Sequence, residues 1–227
     1  MQPMSVGPWQ QESLLHLGAE AAVHAGTWMG EAAVLKVRRN RTWRHPDLDA
    51  RLRRSRLSAE VRLMRRLYDA GLPVPRLLAA DASAGWIVST RLAGGPLFEA
   101  LRSGAVPADI LGEVGAKIRE MHALGIVHGD LTTHNLLWDA EDGLSIIDLG
   151  LSRIVEDVEP FGLDLQVLAE CLSASHPSID DGIERVIAGY LGAEDGEARS
   201  TSGALLPAAD VVVTRFRQIA SRVRYHG

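Results

Sequence analysis

Between Gly18 and Val37 short β-compatible pairs, Ala22-Val23 and Val34-Leu35, lie among Gly18, Gly26 and Gly30, which predicts short strands joined by glycine turns. The period then changes. Leu57, Val61, Met64 and Tyr68 recur at helical spacing, so residues 48–69 read as one helix, stopped by Gly71 and kept from resuming by Pro73 and Pro75. Leu77 to Ala80 and Trp86 to Val88 read as two more strands, and Gly94-Gly95-Pro96 breaks the pattern. Residues 91–96 are therefore the expected boundary between a lobe over 1–92 and a second over 93–227. In the second, Ile110, Val114, Ile118 and Met121 form one stripe of a helix over 107–124. Short strands follow at Ile126-Val127, Leu136 to Trp138 and Leu144 to Ile147, with a turn at Glu141-Asp142-Gly143. Helices are expected at about 163–173, 180–191 and 207–223, with residues 192–203 as a flexible connection. Strands first and helices later is an α+β pattern of two lobes.

Composition narrows this picture. With 46% hydrophobic and 23% charged residues the chain is too apolar for disorder, and no run of 18 apolar residues offers a membrane span. The first eleven residues lack the basic start and apolar core of a secretory signal, so a soluble cytoplasmic protein is expected. The single Cys171 excludes an internal disulfide and a cysteine-based zinc site. The net charge of −5 conceals a reversal: residues 38–66 hold eleven arginines against Asp47, Asp49 and Glu60, a local +8. That excess reads either as a solvated helix face or as a surface for an anionic partner. The near absence of interspersed acids favours the partner. Lysine is almost absent, with only Lys36 and Lys117 among 24 basic residues, and Lys36 sits inside the apolar run Ala32 to Val37.

Chemistry concentrates in His128-Gly129-Asp130-Leu131-Thr132-Thr133-His134-Asn135 and in Asp148-Leu149-Gly150. Each of these polar residues alone reads as a turn former. Together they place two carboxylates and an amide oxygen at one end of a hairpin, hard oxygen donors of the kind that suit Mg²⁺ and phosphate. The spacing matches a protein-kinase signature, with Asp130 orienting the acceptor and Asn135 and Asp148 holding metal. In that setting Lys36 meets phosphates and pairs with Glu60, which falls on the border of the apolar stripe of its helix. The alternative is an edge lysine and a surface glutamate. No full glycine-rich phosphate loop exists; Gly18-Ala19-Glu20-Ala21 is the best candidate. Asp164 either anchors the catalytic-loop backbone or N-caps the helix that follows.

Gly18 to Ala21, Lys36-Val37-Arg38, Trp43 to Asp49, Arg56 to Glu60, Gly71 to Pro75, His128 to Asn135 and Ile147 to Ser152 resemble the small atypical Ser/Thr kinases of the KEOPS (EKC) tRNA-modifying complex, the PRPK-type family. The resemblance implies a reduced bilobal protein-kinase-like fold, with a β-rich N-lobe carrying one long helix and a compact helical C-lobe. It implies ATP contacts from Gly18, Ala19, Glu20, Val23, Val34, Lys36, Glu60, Leu137 and Ile147, catalysis by Asp130, and Mg²⁺ at Asn135 and Asp148. It further implies ATP hydrolysis or autophosphorylation in support of threonylcarbamoyladenosine formation. The chain would be a monomer within a complex, beside the threonylcarbamoyltransferase, with tRNA contact through residues 38–66 and the C-terminal tail. The sequence departs from the family at Thr90, where a hinge Glu is usual, and in a tail poor in lysine.

Two rival functions remain. Aminoglycoside- or choline-type small-molecule phosphotransferases also use a His-Gly-Asp loop, but they carry larger C-terminal insertions. A vestigial nucleotide-binding scaffold would have no chemical need for Lys36, Glu60, Asp130, Asn135 and Asp148 together.

Overall fold

The computed structural model describes residues 6–39, 45–194 and 196–224. Trp43 and Arg44 of the arginine-rich segment, and Tyr225 to Gly227 of the tail, lie outside these residues. The chain divides into two units, one of residues 1–70 and 74–92, the other of residues 71–73 and 93–227.

The first unit is a five-stranded antiparallel sheet with one long helix. Its elements are β1 (Trp9–Leu17), β2 (Ala21–Trp28), β3 (Glu31–Arg38), α1 (Pro46–Asp69), β4 (Leu77–Asp81) and β5 (Trp86–Thr90), with strand order β1-β2-β3-β5-β4. Alternation along β3 sets what each face does. Ala33 and Leu35 turn into a core with Val6 and Val88, against which Trp9, Trp28, Val37 and Trp86 pack. Lys36 and Arg38 take the opposite face, because residues two apart on a strand share a side. β1 was not expected from the sequence pattern. It is an edge strand, exposed along nearly its whole length, and its pairing with β2 is interrupted by two register shifts.

Helix α1 starts at Pro46, a favourable first-turn residue, and carries Asp47 and Asp49 where the helix dipole welcomes negative charge. Its buried stripe differs from the expected one. Leu57, Glu60, Leu63, Met64 and Leu67 are buried, whereas Tyr68 is 45% exposed. Glu60 therefore lies in the middle of the buried stripe and not on its border.

The second unit holds β6 (Gly95–Pro96), α2 (Leu97–Ser103), α3 (Ile110–Ala123), β7 (Ile126–Val127), β8 (Leu136–Asp139), β9 (Gly143–Ile146), β10 (Arg153–Ile154), α4 (Val158–Ser175), α5 (Gly182–Gly192) and α6 (Ala209–Arg224). A 3₁₀ turn at Leu149–Leu151 precedes β10. Helix α2 was also unexpected. The stripe Ile110, Val114, Ile118 and Met121 of α3 is wholly buried, as its spacing requires. Helices α3 and α5 cross at backbone contact: a Cβ on Gly115 would lie 1.9 Å from the Val186 carbonyl oxygen, and one on Gly189 1.8 Å from that of Gly112. Any side chain at these glycines would push the helices apart.

The connection before α6, expected to be flexible, is tied down. Ser200 and Ser202 both donate hydroxyl bonds to Glu156, at 2.7 and 2.6 Å, and Arg199 bridges to Leu205. Among the described residues no helix is long and apolar enough to cross a membrane. The architecture is the expected α+β arrangement.

Candidate active site

Each unit contributes its own set of the expected residues. In the first unit the set is built on charge. Val23 faces Lys36 across β2 and β3, and Val34 lies two residues before Lys36, so the three share one face. Lys36 Nζ donates to Glu60 Oε1 at 2.7 Å, and Glu60 is 2% exposed. The turn from β1 to β2 is held by backbone, with Gly18 N–H on the Ala21 carbonyl at 2.9 Å and Arg39 N–H on that of Glu20 at 2.9 Å. Glu20 reaches Arg38 at 4.0 Å and Arg56 at 3.7 Å. The negative charge that the sequence places on this turn thus meets local arginines.

In the second unit the set is built on hydrogen bonds. Asn135 Nδ2 donates to the Asp130 carbonyl at 2.8 Å and to Asp130 Oδ2 at 3.1 Å, leaving its own amide oxygen as an acceptor. Leu136 pairs with Ile146, and Ile147 N–H donates to the Asn135 carbonyl at 2.9 Å, so Asn135 and Asp148 fall within one step of register. Leu137 and Ile147 are half-buried apolar residues of this hairpin. Asp148 is exposed and adopts φ 59°, ψ 65°, a left-handed conformation that Asp tolerates better than most residues. Its carboxylate accepts from Gly150 N–H at 3.3 Å and opens the 3₁₀ turn.

The loop carrying Asp130 is held from beneath. His128 is fully buried; its Nε2 donates to the Ile147 carbonyl at 2.9 Å while Nδ1 accepts from Asp130 N–H at 3.3 Å. Gly129 has φ +81°, and a Cβ there would lie 2.6 Å from the Leu151 carbonyl oxygen. No other residue fits. Ser152 Oγ closes the loop by donating to the His128 carbonyl at 3.0 Å.

Asp164 settles the question that the sequence left open. It lies within α4 rather than at its start, so it is not an N-cap. Its carboxylate accepts the N–H of His128 at 2.5 Å and that of Gly129 at 2.8 Å, and so anchors the loop. His122 Nε2 adds a third donor at 3.3 Å, while His122 Nδ1 accepts from the Tyr190 hydroxyl at 2.9 Å. Burial alone pushes Asp164 up, but the His122 contact and the two N–H donors outweigh it and hold the carboxyl below its ordinary value. Burial lowers the His122 pKa, with Asp164 opposing, so His122 is neutral at neutral pH. Tyr190, buried beside it, has its phenol pushed up, chiefly by burial.

The donor set fits a hard divalent cation completed by phosphate. Asn135 and Asp148 offer one amide oxygen and one carboxylate, and Mg²⁺ takes one or two carboxylates beside phosphate oxygens. Among the described residues no group of three or more His, Cys, Asp or Glu forms a separate metal cage. Sequence reasoning missed His122, Tyr190 and Arg38, whose second bond to Glu60 emerges only from the fold. The alternation of β3, which puts Arg38 on the face of Lys36, was the available signal for the last.

Comparison with known proteins gives the family. Residues 18–157 match the model described as the lipopolysaccharide kinase (Kdo/WaaP) family. The KEOPS complex subunit Bud32 of Pyrococcus abyssi is 31% identical over 78% of this chain and 84% of its own length. The chain belongs to the Bud32 family. The EKC/KEOPS complex subunit BUD32 of Gibberella zeae is 33% identical over 78% of this chain and 76% of its own. A probable bifunctional tRNA threonylcarbamoyladenosine biosynthesis protein of Methanothermobacter thermautotrophicus is 31% identical over 96% of this chain, which spans only 39% of that protein. Membership of the Bud32 family makes the chain a kinase-type phosphotransferase or ATPase in broad class, and use of ATP with Mg²⁺ belongs to that class.

Proposed function

We propose that this protein turns over ATP with Mg²⁺ as a KEOPS subunit and thereby supports threonylcarbamoyladenosine modification of tRNA beside the threonylcarbamoyltransferase. Lys36, paired with Glu60, meets the nucleotide phosphates, with Val23, Val34, Leu137 and Ile147 as apolar contacts of the base and sugar. Asn135 and Asp148 would hold Mg²⁺, which neutralises phosphate charge when bound. Asp130 orients the attacking hydroxyl or water and takes its proton, a role worth about 10²–10⁴ in rate.

One observation carries the preference for hydrolysis or autophosphorylation over phosphorylation of many proteins. The segment after Asp148 is stitched to the catalytic loop, through Ser152 on His128 and through the pairing of β10 with β7. Only thirteen residues separate Gly150 from Asp164. That leaves no length for a peptide platform.

The arginine-rich face supports the tRNA part of the reading. Arg51, Arg54, Arg62 and Arg65 are exposed and lie within an arc of about 80° on α1, opposite Glu60, over roughly 21 Å of helix. None of the four has an ion-pair partner among the described residues. The tail offers less: Arg215 pairs with Glu159 and Arg217 with Glu184 at 3.5 Å.

The test is reconstitution of wild type and Asp130→Ala with purified threonylcarbamoyltransferase and tRNA. Wild type should stimulate both ATP use and adenosine modification. Asp130→Ala should lose turnover by at least about a hundredfold while still binding nucleotide. Unchanged hydrolysis in the variant, or modification indifferent to the protein, overturns the reading.

A further inference from the structure

Glu60 is held by two cations, one on each oxygen. Lys36 Nζ lies 2.7 Å from Oε1 and Arg38 Nη2 lies 2.5 Å from Oε2. The two cations are not equivalent. Arg38 has a side chain 7% exposed and a rigid, planar guanidinium fork, whereas Lys36 is 19% exposed on a flexible four-carbon stem. Arg38 also reaches Glu20 at 4.0 Å, and its backbone N–H is fixed on the Gly85 carbonyl at 2.8 Å. Arg38 is built to stay; Lys36 is built to move.

The arrangement bears on phosphate binding. A buried carboxylate with a single cationic partner cannot release it without being left unpaired, which is strongly unfavourable. A lysine shared between such a carboxylate and phosphate would be held back by it. With Arg38 on the second oxygen, Glu60 keeps a charged partner while Lys36 turns part of its hydrogen bonding to phosphate.

We propose that Arg38 is a positioning residue for the nucleotide phosphates, acting through Glu60 to free Lys36. The inference rests on the reading that Lys36 meets ATP. The chain itself supplies the probe: with only two lysines, the side-chain Cε and Nζ resonances of Lys36 and Lys117 can be told apart by one substitution. Mg·ATP titrated into the full-length protein should move the Lys36 signal and leave that of Lys117 in place. In Arg38→Gln the same movement should need at least ten times more Mg·ATP. The KM for ATP should rise by that factor, while kcat at saturation changes less than threefold. Arg38→Lys, which restores a cation on Glu60, should bring the KM back within threefold of wild type.

Equal Mg·ATP requirements in wild type and a folded Arg38→Gln overturn the inference and leave the nucleotide reading standing. A Lys36 signal that ignores Mg·ATP in wild type overturns the nucleotide reading itself. Should Arg38→Gln fail to fold, Arg38→Lys decides alone: a tenfold rise in KM in that folded variant overturns the proposal.

Discussion

The two units hold their site residues by different physics. In the first, charge holds charge: Glu60 sits between Lys36 and Arg38, and Glu20 between Arg38 and Arg56. In the second, a single buried carboxylate gathers N–H donors from the loop it supports, backed by a neutral histidine and a tyrosine. The first scheme permits exchange, since a lysine can trade a carboxylate for a phosphate at little geometric cost. The second restricts movement, because two of the three bonds to Asp164 come from the main chain. On the proposed reading, a phosphate contact calls for the first kind of support and a catalytic loop for the second.

Substitutions can break this contrast. The largest loss is expected from Asp164→Asn. An amide cannot accept from His128 N–H, Gly129 N–H and His122 Nε2 together, and an orphaned buried donor costs about 1–3 kcal/mol. Denaturant unfolding should therefore show a loss of about 3–5 kcal/mol. Glu60→Gln should cost less, about 2–3 kcal/mol, because Lys36, at 19% exposure, can find water and the new amide oxygen can still accept from Arg38. A larger loss at Glu60 than at Asp164 would invert the comparison.

Acid sharpens it. His122 has a folded pKa lowered below its unfolded value near 6.5, so the unfolded chain takes the proton first. Its contribution is fully present above about pH 6.5 and is lost as pH falls below that, by at most about 1.4 kcal/mol per pH unit. His122→Asn should flatten the stability curve between pH 6.5 and 5 relative to wild type. An identical slope in the two proteins contradicts the assignment. The smallest effect on folding belongs to Arg62→Ala with Arg65→Ala, within about 0.5 kcal/mol each. The same pair should weaken tRNA binding and flatten its dependence on salt.

How legible each unit was follows from the same physics. β-compatible pairs between glycines revealed the strands around Lys36, and regular apolar spacing revealed α3, because burial on one face leaves a period in the sequence. β1 left none: an edge strand with nearly every residue in solvent has no reason to alternate. Tyr68 misled because a large aromatic at helical spacing counts as apolar, although Leu63 and Leu67 are the residues α1 buries. Helix α2 was hidden by Gly94-Gly95-Pro96, read as a break when Pro96 is its N-cap; Gly104, left-handed at φ 71°, closes it. The polar motif brought Asp130, Asn135 and Asp148 into one neighbourhood from spacing alone, since a hairpin fixes that geometry locally. Asp164, His122 and Tyr190 come from three different helices, and only their packing shows that they form one support.

The irregular edge has a consequence for the behaviour of the protein at high concentration. β1 presents Leu14, Leu15 and Leu17 at 51%, 49% and 61% exposure on an edge strand of the sheet among the described residues, the combination that recruits a second strand and seeds precipitation. Its two register shifts, between Gln11 and Ser13 and between Leu14 and His16, twist that margin so that an incoming flat strand meets broken pairing. The broken register of β1 is thus its protection against becoming a template.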